Sequence, residues 1–140
     1  MAARGLGRSL AALLLFATPL TGLHAQQNPA ANDTRQADYD RRLADNKQRL
    51  RAISYSDPEG RIAILAEREQ LVGDFYGQDS VEHADALQLL AFEYYSAKRW
   101  AEDAALRARA LSIRRKVQGD RSSDTLYAVR SLGQSLENDH

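Results

Sequence analysis

Apolar residues from Tyr39 onward recur at helical spacing, and the places where the rhythm breaks divide the chain into helices. Tyr39, Leu43, Leu50 and Ile53 share one face and predict a first helix near 38–53. Asp57 and Pro58 then supply an N-cap and a first-turn proline for the next. In that helix Ile62, Leu65, Val72 and Tyr76 line one face up to Gly77, with Ile64, Leu71 and Phe75 widening it. Leu87, Leu90, Ala91 and Tyr94 mark a third helix near 80–97. Leu106, Ala110, Ile113 and Val117 mark a fourth over about 100–117, and Val129, Leu132, Gly133 and Leu136 a fifth over about 122–137. No segment alternates with the two-residue period of a strand, so the predicted fold class is all-α, about five helices joined by short turns.

The stops and restarts repeat. Laid on 108–136 without gaps, residues 66–94 match at Ala66/Ala108, Gly77/Gly119, Ser80/Ser122, Ala86/Ala128 and Leu90/Leu132, an offset of 42 residues. Those matches fall at helix ends and apolar contact positions, where a stacked unit is most constrained. Each Gly suits a left-handed helix C-cap, and each Ser suits the N-cap of the helix that follows.

Residues 87–119, "LQLLAFEYYSAKRWAEDAALRARALSIRRKVQG", resemble the 42-residue tetratricopeptide repeat of the kinesin light chain type. Leu90, Ala91 and Tyr94 stand where the first helix of that repeat carries its small and aromatic packing residues, and Trp100 stands at the aromatic site opening the second. "ALSIRRKVQG" (110–119) is similar to the end of that second helix. Three positions depart from the pattern: Asp103 replaces a packing Ala, Arg107 a Tyr and Lys98 a turn Gly, which implies a second helix that packs less tightly or rolls. The resemblance covers about 66–136 and implies antiparallel helix hairpins stacked as a short right-handed solenoid. It also implies that the first helix of each pair lines a concave, partner-binding surface. Carried onto this chain, that surface holds Asp85, Gln88, Leu89, Phe92 and Tyr95, with Tyr127, Arg130, Ser131 and Gln134 at the matching places of the fifth helix.

The N-terminus changes the picture of where the protein works. Arg4 and Arg8 precede an apolar run at 10–23 broken by Pro19, and Leu23-His24-Ala25 offers a cut after a small residue. This is the pattern of a signal peptide over 1–25. Its apolar run is shorter than the roughly 20 residues of a membrane-spanning helix, which makes a signal anchor the weaker alternative. The expectation is a periplasmic or secreted protein with no stable membrane anchor after cleavage. Residues 26–37, "QQNPAANDTRQA", hold no aliphatic residue larger than Ala and read as a flexible leader before a helical repeat domain at 38–137.

Charge and chemistry narrow the functional classes. Cleavage removes two Arg and no acid, so 17 of the 19 Lys+Arg face 19 Asp+Glu, a formal charge of −2. That balance carries no nucleic-acid footprint. With no Cys, disulfides and thiolate chemistry are both excluded, and the apolar core alone must hold the domain. His83 is the single histidine inside the predicted domain. Its neighbours Glu82 and Asp85 point around a helix and not at one point, so it reads as a partly exposed helix-start residue. No HExxH pair, phosphate loop or Ser–His–Asp arrangement is present, and no cofactor or metal is expected. The run "RARALSIRRK" reads as a solvated face, with Glu102 and Asp103 at the start of its helix and Arg114, Arg115 and Lys116 at its end, matched to the helix dipole. The reading is an exported, non-catalytic module that binds a peptide or protein surface. A self-associating structural module is the alternative, and a small enzyme built on His83 ranks below both.

Overall fold

The computed structural model describes residues 29–138. The signal segment and its cleavage point lie outside the described residues, as do residues 26–28 of the expected leader. The described chain forms five helices: α1 (Pro29–Ala52), α2 (Pro58–Tyr76), α3 (Val81–Ser96), α4 (Trp100–Gln118) and α5 (Ser123–Asn138). Substantial packing joins sequence neighbours: α1 on α2, α2 on α3, α3 on α4, α4 on α5. The described residues are all-α, as the periodicity predicted.

The first helix starts well before the predicted boundary, so residues 29–37 are helix and not leader. Pro29 is compatible with a first turn, Ala30 and Ala31 favour helix, and the Thr34 hydroxyl donates to the Ala30 carbonyl at 2.8 Å. Arg35 then anchors this end without any large aliphatic residue. It donates to the carbonyls of Asp74 and Phe75 at 3.0 and 2.9 Å, in the last turn of α2, where unpaired carbonyls favour a cation. Below it Tyr39 stacks on Phe75 at 4.1 Å and meets Tyr76 edge-on at 5.5 Å. Burial, reinforced by Tyr76, pushes the Tyr39 phenol up to about 12.

The expected caps form. Asp57 accepts from the Gly60 amide at 3.0 Å, Ser80 from His83 at 3.1 Å and Ser122 from Thr125 at 3.1 Å. The helix stops differ in detail from the sequence reading. Gly77 (φ 99°, ψ 151°) and Gly119 (φ 82°, ψ 166°) have positive φ but extended ψ, a region more exclusive to glycine than the left-handed helical cap expected. Beyond its chain neighbours, no atom of the described residues lies within 4 Å of where a Gly119 Cβ would stand, so the penalty for a side chain is one of backbone conformation. Gly119→Val is expected to destabilise the domain by about 1–3 kcal/mol in a thermal melt. An unchanged melting temperature would show that the turn can form another way. Lys98, at the α3–α4 turn, carries φ 59° and so takes up the glycine-type conformation that its position suggested.

Three apolar clusters make the core. Tyr39, Leu71, Val72 and Ala86 join α1, α2 and α3; Ile62, Leu65 and Leu90 join α2 and α3; Ala84, Leu87, Ala110 and Ile113 join α3 and α4. None of these clusters contains a residue of α5. The predicted stripe of α5 is corrected here: Val129 and Leu136 are exposed, as are Gly133 and, at the end of α4, Val117. Thr125, Ala128, Ser131 and Ser135 are buried in their place, with Leu132 half-buried. The cause is Asp103 of α4, fully buried, which accepts from Arg107 Nε at 2.6 Å and from the Ser135 hydroxyl at 2.5 Å. A buried carboxylate requires donors, and α5 supplies one from Ser135, while Thr125 and Ser131 hydrogen-bond locally to Ser122 and the Tyr127 carbonyl. Asp103 and Arg107, two of the three departures from the repeat pattern, are therefore partners.

Candidate functional site

Helix α3 has two working faces. Leu87, Leu90 and Ala91 point into the core, whereas Asp85, Gln88, Leu89, Phe92 and Tyr95 fall on the adjacent strip. That strip faces α5 across a groove of about 640 Å³, whose other wall is Tyr127, Arg130, Ser131 and Gln134. All the residues assigned to the concave surface from sequence are brought together here. Arg107, at the groove's base, was not among them. Its signal was present in the sequence as the i, i+4 spacing from Asp103.

The groove is apolar where it is open. Leu89, Phe92 and Tyr127 are 49%, 59% and 62% exposed. Tyr95 is half-buried and structural in part: its ring meets Trp100 edge-on at 4.9 Å, and the Arg107 guanidinium lies 5.9 Å from its centroid. Charge in the groove is mostly neutralised. Asp85 receives a short hydrogen bond from Arg114, and Arg107 is held by Asp103. Arg130 forms no ion pair among the described residues, so the groove presents one cation with no counter-ion.

The charge run on α4 is more than a solvated face. Arg114 is buried, donates to Gln88 as well as Asp85, and lies 3.5 Å from Asp124 at the start of α5. Asp103 is likewise inside, while Arg115 pairs with Asp120 at 3.2 Å and Lys116 with Asp79, both at the surface.

His83 is fully buried, which corrects the expectation of a partly exposed residue. Its ring nitrogens lie 2.8 Å from the Gln78 carbonyl (Nδ1) and 2.5 Å from Glu69 Oε1 (Nε2). The carbonyl can only accept, so Nδ1 carries a proton. Arg109 closes the cluster, 3.4 Å from Glu69 and donating to the Gln78 side chain at 2.5 Å. Room for the imidazole comes from Gly73, where an added Cβ would stand 3.1 Å from the ring and 2.4 Å from Gln78. This cluster ties α2, α3 and α4 together. Its partners sit 14 and 5 residues away in sequence, not at the adjacent acids.

Among the described residues no group of three or more His, Asp or Glu is arranged to hold a metal ion, and no helix is long and apolar enough to cross a membrane. No family model, curated protein or solved structure matches the chain.

Proposed function

We propose that this protein is an exported, non-catalytic binding module: a short tetratricopeptide-like stack that docks a peptide or protein segment in the groove between α3 and α5. The observation that carries the reading is the exposed cluster of Leu89, Phe92 and Tyr127 around an Arg130 that has no ion pair among the described residues. Rigid aromatic rings bury area at low entropic cost, and a guanidinium can clamp a carboxylate in a fork. The matching ligand is a segment that offers an apolar side chain next to an acidic side chain or a C-terminal carboxylate.

Selection from a random peptide display library tests this directly. Enriched peptides are expected to carry such a pair, and Phe92→Ala is expected to weaken their binding by about 1–3 kcal/mol. Phe92 is exposed and Leu90 is 5% exposed, so stability separates their roles. Phe92→Ala is expected to melt near the parent temperature. A melt as damaged as that of Leu90→Ala, or unaltered peptide binding, would remove the groove from consideration.

A further inference from the structure

The outward strip of α5 is apolar and, among the described residues, uncovered. Leu126, Val129 and Leu136 are 58%, 43% and 47% exposed, and Gly133 stands between the last two. Forty-two residues earlier the corresponding places on α3 are Ala84, Leu87, Tyr94 and Ala91. There the face is covered by a helix: Ala84 and Leu87 pack on Ala110 and Ile113 of α4. So α5 carries a face continuous in pattern with an existing helix-on-helix interface. At its middle, apart from the adjoining helix backbone and chain neighbours, no atom of the described residues lies within 4 Å of the position of a Gly133 Cβ, and a hollow of about 380 Å³ is bounded by Arg130, Gly133, Gln134 and Glu137.

The charges say what fits. Arg130 and Glu137 are seven residues apart, so both run along the same edge of the strip, and neither forms an ion pair among the described residues. When two helices pack face to face in antiparallel sense, like edges meet. In parallel sense, opposite edges meet, and Arg130 would face the Leu132 side instead. We infer that the outward strip of α5 is a self-association surface, on which a second copy of this chain lays its own α5 antiparallel about a two-fold axis. Arg130 then meets the partner's Glu137, and the symmetric contact repeats on the other side. The apolar side chains of each copy project toward the hollow that Gly133 leaves in the other. The apolar strip is separate from the groove, since Val129 and Leu136 do not line it, and Arg130 stands at the edge shared by the two.

One helix pair makes an interface below about 1,200 Å², so association is weak and concentration-dependent. Sedimentation equilibrium of the purified protein is expected to show a shift from monomer to dimer between roughly 10 μM and 1 mM. Val129→Glu is expected to abolish the dimer while circular dichroism stays that of the parent, because Val129 is a surface residue. Glu137→Arg is expected to weaken association at least tenfold, and the exchanged pair Arg130→Glu with Glu137→Arg to restore it. A monomer across the whole range overturns the inference. So does a dimer that survives Val129→Glu, or an exchanged pair that associates no better than Glu137→Arg.

Discussion

Glu93→Ala is expected to remove about 3–5 kcal/mol of stability, the cost of stranding a buried guanidinium without its counter-ion. Arg61 of α2 and Glu93 of α3 have side chains each 9% exposed and are joined by two parallel hydrogen bonds, at 2.6 Å and 3.0 Å. The fork geometry satisfies both carboxylate oxygens and fixes how α3 is rotated on α2. The Tyr55 ring lies against the Arg61 guanidinium, its centroid 4.3 Å from the guanidinium carbon. Losing one partner is a different matter from losing both. Replacing the pair by Arg61→Met with Glu93→Met is expected to recover most of the stability, because well-packed apolar groups can substitute for a buried pair. Urea unfolding of the single and double variants decides it. A single variant that loses under about 1 kcal/mol would mean that water reaches the pair.

The second large effect separates repetition from burial. Leu87→Ala is expected to cost roughly 2–5 kcal/mol, since Leu87 is fully buried between α3 and α4 and its removal leaves a cavity against Ala110 and Ile113. Val129, its match 42 residues on, is exposed, and Val129→Ala is expected to stay within about 0.5 kcal/mol of the parent. Equilibrium melts of both variants under dilute conditions give the comparison. Similar losses would show that Val129 is covered in the free monomer, contrary to its exposure.

Much of this architecture was legible because local signals agreed with one another. The Ser80 and Ser122 caps, the Asp57–Pro58 restart and the stripe through Leu87, Leu90 and Ala91 each specify the same helices. The groove residues came from the resemblance to the tetratricopeptide repeat, and the placement of Leu89 and Phe92 off that stripe agreed with it. What could not be read depended on partners distant in sequence. His83 looked exposed because its adjacent acids diverge, yet Glu69 and the Gln78 carbonyl reach it from α2 and the turn after it. The inward face of α5 was misjudged because apolar residues were taken as the buried set, when the carboxylate of Asp103 draws the Ser135 hydroxyl inward. The early start of α1 escaped notice because Arg35 docks by hydrogen bonds, which leave no hydrophobic period.

Packing between sequence neighbours also governs how the chain reaches this structure. No helix must wait for a remote segment before it finds its support, so the loops to be closed are short and cheap in entropy. Contacts this local place the protein among fast folders, on the order of microseconds to milliseconds. Growth proceeds by accretion from any adjacent pair, and α3 with α4, the most extensively packed pair, is the natural seed. The same geometry runs in reverse at the ends. α1 makes the least extensive of the four helix–helix contacts, so that end is expected to open and return first while α2, α3 and α4 stay assembled.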